Sequence, residues 1–256
     1  NHPEFIKPET RKNEILGFLR KPLNNLCISR PKSRLEWGIE LPFDSDYVCY
    51  VWFDALINYI TAPGYLKDGD AFTHWWPASC HLIGKDILTT HCVYWPTMLK
   101  AMGVPMPETV MGHGWWMVDE QKMSKSLGNV IKPLALADKY GVDPFRYFLA
   151  RDMVLGQDSS FSETGFVTRY NSELANDLGN LLNRTVVMVE RYLGGVVPEV
   201  DKLSDTTATL RTEAKNASRS IQELLPRLDT SRIMEAVWVL VRQANRFIET
   251  QAPWAL

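Results

Sequence analysis

Lys122 and Lys125 are the residues whose type and spacing point most directly to chemistry. They stand three apart in residues 120–129, EQKMSKSLGN, a stretch whose serines, glycine and asparagine suit a short polar loop better than a core helix. Lysine is a compact charge on a flexible stem. Two lysines on a hinged loop can close over a triphosphate. There they stabilise the charge growing on a pyrophosphate leaving group more in the transition state than in the ground state. A solvated surface turn would use the same residues, and spacing alone does not choose between the two.

Two further sets carry possible chemistry. Trp52, Ala55, Leu56 and Tyr59 fall at the end of an expected strand and in the first turns of a helix, where open α/β sheets place ligands. Ile87, His91 and Trp95 recur at four and share one helix face. An aromatic cluster of this kind is also ordinary core material. Asn176, Asn180 and Arg184 recur at four on a later helix, a polar stripe turned away from its leucines as a solvated face would be. Asp86 follows Gly84-Lys85 at the mouth of a helix, where a carboxylate can cap the helix or accept from ribose hydroxyls.

The elements that must hold these residues change character along the chain. Residues 47–53, YVCYVWF, read as a buried strand from their β-branched and aromatic content. Residues 79–84, SCHLIG, read as a second strand ended by glycine. A helix follows from Lys85 and is closed by Gly103. A third strand, in ETVMGHGWWMV, is broken at residues 112–114. Strands alternating with helices predict a parallel α/β sheet. From about Leu134 the chain turns helical, with two short helices broken at residues 141–144. A long amphipathic helix then buries Leu174, Leu178, Leu181, Leu182, Val186 and Val189 and stops at Gly194-Gly195. Two more helices complete an antiparallel bundle.

Composition sets limits. The 256 residues are 45% hydrophobic, ample for a core in one large or two ordinary domains. Net charge is −2, and residues 165–256 hold eleven basic and eleven acidic side chains, so any nucleic-acid contact must be local. No apolar run is long enough to span a membrane, and no secretory leader is visible. Four cysteines at irregular gaps read as buried free thiols of a cytoplasmic protein rather than a zinc or disulfide framework.

The string Lys122-Met123-Ser124-Lys125-Ser126 is identical to the signature loop of class I aminoacyl-tRNA synthetases, and KMSKSLGN resembles it over eight residues. YVWFDALINYI, HLIGKDILTTH, CISRPKSRLEWGIELP and the closing QAPW resemble methionyl-tRNA synthetases, so the likeness runs over essentially the whole chain. The resemblance implies a Rossmann-like parallel-sheet catalytic half followed by an all-α anticodon-binding bundle. Its divisions would be 1–25 as the end of a connective insertion, 26–135 as the second catalytic half, 136–164 as a stem-contact segment and 165–256 as the bundle. It implies the cofactors ATP and Mg²⁺, with methionine and the initiator and elongator methionine tRNAs as partners. Trp52, Ala55, Leu56, Tyr59, Ile87, His91 and Trp95 would line a methionine pocket, with Leu56 standing where relatives carry proline. An apolar, aromatic, shape-selective pocket is also what a polarisable thioether calls for. Lys122, Lys125 and Arg30 would be catalytic, Arg30 acting through an acidic partner that the sequence does not reveal. Asp86, His113, Gly114, Trp116, Met123, Ser124 and Ser126 would meet ATP or the adenylate. Asn176, Asn180, Arg184 and Trp254 would read the anticodon, since amides and guanidinium bond base edges and aromatic faces stack.

The second signature of that class, His-x-Gly-His, does not occur in the sequence. In the family it lies before the connective insertion, which often carries a zinc knuckle, so any zinc would lie upstream and no metal ligand is expected here. The expectation is therefore a C-terminal part of a methionyl-tRNA synthetase, inactive by itself. The alternatives are a synthetase for leucine, isoleucine or valine, and a non-catalytic tRNA-binding protein of the same fold.

Overall fold

The computed structural model describes residues 2–118, 120–124, 126–199 and 204–255. The chain divides into two compact units, Asn1–His113 and Gly114–Leu256.

The first unit is α/β. In chain order it contains β1 (Ile6–Lys7), α1 (Glu9–Leu19), β2 (Ser29–Pro31), β3 (Glu40–Leu41), β4 (Asp44–Cys49), α2 (Val51–Ala55), α3 (Asn58–Thr61), α4 (Gly69–Trp75), β5 (His81–Gly84), α5 (Trp95–Met102) and β6 (Val110–His113). β6 is central in a parallel sheet, with β1 on one side and β5 on the other. Ile15 of α1 packs with Ile83, Leu88, Cys92 and Val110 on this sheet. Residues 6–19 thus supply a strand and a helix of the α/β layer. A second core gathers Leu56, Ile60, Trp76, Trp95, Met98, Leu99 and Val104. Asp68 caps α4, its carboxylate accepting from the Ala71 amide at 3.0 Å. Gly103, at φ +69°, closes α5 in the left-handed region that glycine adopts without a side-chain clash.

The expected strand over residues 47–53 is corrected in three ways. It ends at Cys49, it runs antiparallel between β2 and β3 in a separate small sheet, and Val48 alone in it is buried. Helix α2 takes over at Val51. Alternating burial from Asp44 onward never develops because Asp44, Ser45 and Asp46 face solvent. The helix expected from Lys85 is present but changes pitch. It opens as a 3₁₀ turn at Lys85–Ile87, widens to π-helix over Thr90–Tyr94, then tightens into α5.

The second unit contains β7 (Trp116–Val118), β8 (Gln121–Lys122), α6 (Pro133–Tyr140), α7 (Val142–Asp152), β9 (Ser159–Ser160), α8 (Glu163–Arg169), α9 (Asn180–Leu193), α10 (Asp205–Leu224) and α11 (Thr230–Gln251). A π-helical stretch, Tyr170–Gly179, joins α8 to α9 without a break in the helical path. β7 pairs antiparallel with β8 and parallel with β9. Leu136, Phe145, Phe148, Phe161 and Phe166 form the core beneath this sheet. The break expected at residues 141–144 is Gly141 alone, at φ +94°, while Pro144 is accommodated in the first turn of α7.

Ser162, Ser204 and Asp229 each cap the helix that follows, their side chains accepting from a backbone amide of its first turn. The leucine face of the long helix departs from expectation. Leu174, Leu181 and Val189 are half-buried, whereas Leu178, Leu182 and Val186 are 41%, 64% and 45% exposed. Among the cysteines Cys92 alone is buried; Cys27 and Cys80 are exposed and Cys49 is intermediate, all four free. Among the described residues no helix is long and apolar enough to cross a membrane.

Candidate active site

In the first unit four of the seven residues expected to line an amino-acid pocket meet ring to ring. His91 lies edge-on to Trp52 at 6.1 Å and to Tyr59 at 5.6 Å, and Tyr59 lies 6.1 Å from Trp95. A directed chain of hydrogen bonds holds the group. The Ile87 carbonyl can only accept, so His91 Nδ1 donates to it at 3.0 Å. His91 Nε2 then accepts from the Tyr59 hydroxyl at 3.0 Å. The π-helical turn Thr90–Tyr94 carries His91 and leads directly into Trp95. A wide turn at a functional site is a recurrent use of π-helix. Burial pushes the His91 imidazole down, opposed by its bond to the Ile87 carbonyl, and pushes the Tyr59 hydroxyl up. Leu56 is fully buried in the core behind Trp52 and Trp95, and Ala55 is exposed. A concavity of about 230 Å³ in the same unit is lined in part by Trp52, Leu56 and Tyr94.

Asp86 and His113 stand just past or at the carboxyl ends of β5 and β6, whose Gly84 and His113 are paired in register. Ligands of parallel sheets collect at this edge. A Cβ on Gly84 would lie 2.7 Å from Asp86 Oδ1, so glycine lets the carboxylate fold back over the strand end. Arg30, on β2, lies with its guanidinium 4.0 Å from the centroid of the Tyr50 ring, and Nη1 donates to the Ser29 carbonyl at 2.7 Å. An aromatic face thus contacts the arginine for which an acidic partner was expected.

In the second unit β7 and β8 pair antiparallel with Met117 opposite Lys122. Lys122 Nζ rests 4.0 Å from the centroid of the Trp115 ring. Met123 and Trp116 pack on the phenylalanine core, Trp116 5.9 Å from Phe148, and this anchors the start of the loop. The Ser124 amide donates to Asn129 Oδ1 at 2.8 Å, and Asn129 Nδ2 donates to the Lys122 carbonyl at 3.4 Å. Asn129 therefore braces the loop from its far end. The Ser124 and Ser126 hydroxyls are 2.7 Å apart. Lys125 lies outside the described residues. Gly114 is required by close approach, since a Cβ there would fall 1.9 Å from the Gln157 carbonyl oxygen. The backbone of residues 157–161 runs against β7, with the Trp115 amide bonded to Asp158 and the Ser159 amide to the Trp115 carbonyl.

Further along this unit Arg184 and Trp254 come together, guanidinium 5.5 Å from the ring centroid, although seventy residues separate them in sequence. Arg184 also reaches Glu249 at 3.4 Å. Asn176 and Asn180 are exposed on the same continuous helical path. An ionic network lies closer to the first turns of that path. Glu173 receives Arg151, Arg169 and the Tyr147 hydroxyl, and Arg151 also reaches Glu235 of α11. Burial raises the Glu173 carboxyl, but Tyr147, Arg151 and Arg169 outweigh it and hold it below the usual carboxylate range. Among the described residues no group of three His, Cys, Asp or Glu is placed to hold a metal ion.

The family described as tRNA synthetases class I (M) matches residues 1–186. The chain belongs to that family. It is 46% identical over 256 residues to methionine–tRNA ligase of Caldanaerobacter subterraneus, and 46% identical over 259 residues to that of Clostridium acetobutylicum. Each likeness covers 100% of this chain and 40% of the relative, so the chain spans well under half the length of these proteins. The structure of Mycobacterium tuberculosis methionyl-tRNA synthetase bound by methionyl-adenylate superposes with a TM-score of 0.90 at 41% identity, over 99% of this chain and 50% of that one.

Four residues of these family-level neighbourhoods were not singled out by sequence: His81, Tyr50, Trp115 and Asn129. Each is defined by a partner. His81 opens β5, buried to 5% exposure. Its ring stacks on Tyr59 at 4.2 Å, and its Nε2 accepts from Trp95 Nε1 at 3.2 Å. A polar residue at the head of an otherwise apolar strand was the available signal.

Proposed function

We propose that this chain is the C-terminal catalytic and anticodon-reading part of a methionine–tRNA ligase. The observation that carries the reading is the loop KMSKSLGN, braced by Asn129, in a chain that also gathers Trp52, Tyr59, His91 and Trp95 into one aromatic group. That group suits a thioether side chain, which is flexible, polarisable and favourably placed against aromatic rings. Methionine would enter with its side chain against Trp52, Tyr59, His91 and Trp95, with Ala55, Leu56 and Ile87 completing the pocket.

The methionine carboxylate would attack the α-phosphate of ATP, releasing pyrophosphate. Asp86 would accept from the ribose, and His113 and Gly114 would approach the adenosine, with Trp116 beside it. Lys122 and Lys125 would take up the charge developing on the pyrophosphate, Met123, Ser124 and Ser126 shaping the loop around it. Mg²⁺ would arrive as part of the nucleotide substrate, held by phosphate oxygens. The terminal adenosine of a methionine tRNA, initiator or elongator, would then take the aminoacyl group. Positioning and electrostatics supply most of such a rate gain. Residues 165–256 would read the anticodon, Arg184 and the two asparagines on base edges and Trp254 by stacking. Residues 136–164 would contact the tRNA stem, and Arg30 would order the active site. The setting would be the cytoplasm.

The test is ATP–pyrophosphate exchange over a panel of amino acids, with the intact parent protein beside this chain alone. Methionine-dependent exchange by the parent and none by the chain supports the reading. Exchange driven by leucine, isoleucine or valine transfers the protein to those relatives. No exchange by the parent, with tRNA still bound, makes it a non-catalytic tRNA binder. In the parent, Lys125→Ala should slow adenylate formation far more than it weakens methionine binding. Equal losses would remove the transition-state role.

A further inference from the structure

His81 lies behind the aromatic group rather than in it. It is nonetheless the residue that joins two of its walls. Its Nε2 accepts the Trp95 indole N–H at 3.2 Å, and its ring lies on Tyr59 at 4.2 Å with the planes 31° apart. Trp76 stands 5.9 Å away and His91 6.4 Å away, so the imidazole is enclosed by rings. Trp95 is fully buried, and the His81 imidazole is the hydrogen-bond acceptor the structure gives its indole N–H.

An indole has one polar atom, and where that atom bonds fixes the rotation of the whole ring plane. Tyr59 is held from two sides, by the bond of its hydroxyl to His91 Nε2 and by the face it lays on His81. His81 therefore sets the ring plane of Trp95 and the tilt of Tyr59 at once. The acceptor role requires a neutral ring with its proton on Nδ1. Burial, helped by the neighbouring His91, lowers the imidazole to about 4 and keeps it in that form at neutral pH.

We propose that His81 is a positioning residue that sets side-chain selectivity in the aromatic pocket: by fixing Trp95 and Tyr59 it shapes a slot that takes an unbranched thioether and rejects a branched aliphatic side chain. The inference rests on the function proposed above. A loosened Trp95 would widen the slot. It would cost binding of the slim substrate and relax rejection of the branched one, leaving the nucleotide chemistry alone.

The experiment uses the intact parent protein and exchange kinetics with methionine, leucine and ATP. His81→Phe keeps a ring against Tyr59 and removes the acceptor. His81→Gln keeps an acceptor. His81→Phe should raise the methionine KM about tenfold, the worth of one buried hydrogen bond. It should leave kcat and the ATP KM within about twofold and lower the methionine-over-leucine ratio of kcat/KM by about tenfold. His81→Gln should recover most of both losses. If kcat falls in proportion to the fraction of active protein while the methionine KM and the selectivity ratio stay fixed, His81 is structural only and the proposal is overturned. Equal losses in both variants overturn it too. If His81→Phe does not fold, His81→Leu, which also removes the acceptor, replaces it: its effect on the methionine KM should shrink to less than twofold once Trp95→Phe has removed the donor, and additive effects overturn the proposal. A wild-type parent that does not activate methionine refutes the function itself, which separates the two failures.

Discussion

Acidification should unfold the first unit through His81 in a measurable and signed way. In the folded chain the imidazole is lowered to about 4 by burial and by His91, against 6.5 in the ordinary state. A depressed histidine contributes stability above the unfolded value and loses it as pH falls toward the folded one, because the unfolded chain binds the proton first. The window is therefore pH 6.5 down to about 4. The slope within it approaches about 1.4 kcal/mol per pH unit, and at pH 4.5 the accumulated loss is about 2.5 kcal/mol. That is a large share of the stability of an ordinary domain. Urea unfolding of wild type and His81→Gln at pH 7 and pH 4.5 isolates the effect, since His91 and the carboxylates titrate in both. The variant starts less stable at pH 7 but should lose about 2.5 kcal/mol less than wild type over the interval. Parallel losses, within about 0.5 kcal/mol, would mean that the ring is hydrated or already charged and would refute the reasoning.

Glu173→Gln should destabilise the second unit by about 2 kcal/mol, because Arg151 and Arg169 lose their shared carboxylate. Its penalty should shrink as pH falls below 4.5, because the unfolded carboxyl then takes up a proton that folded Glu173 resists; thermal melts at pH 7 and pH 3.5 check both signs. Gly114→Ala forces a methyl into the Gln157 carbonyl and should cost about 3 kcal/mol, read as a drop of several degrees in Tm. With iodoacetamide at pH 8, peptide mass spectrometry should find Cys27 alkylated first, its thiol lowered by the Ser29 backbone. Cys92, buried and pushed up to about 12, should stay unlabelled until the unit unfolds.

The punctuation of the fold was legible because it is local. Gly103 ends a helix and Gly194 ends another, each through contacts within a turn or so. The alternation around β5 and β6 announced a parallel sheet for the same reason. The candidate site residues stood out in the sequence as types, but the contacts between them did not. The bond between Tyr59 and His91 spans 32 positions and the one between Trp95 and His81 spans 14. No periodicity encodes such pairs, and residues whose work is to hold another side chain, like His81 and Asn129, carry no pattern of their own.

The leucine face of the long helix shows where periodicity stops being sufficient. Spacing at three and four says that apolar side chains share a stripe; burial needs another surface to arrive on that stripe. Leu181 and Val189 do meet α11 residues around a cavity of about 800 Å³, lined also by Phe247, Ile248 and Leu210. Leu178, Leu182 and Val186 do not line that cavity and stay in solvent. The change of pitch contributes. Tyr170–Gly179 is π-helical, so each residue there advances the stripe by less than an α-helical step, about 80° rather than 100°. A stripe counted with one period across residues 174–189 drifts by tens of degrees between its two ends. Asn176 and Asn180 still share a face, because a four-residue step misses a full turn by only about 40° at either pitch. Leucines and asparagines were read with a single ruler, and the helix uses two.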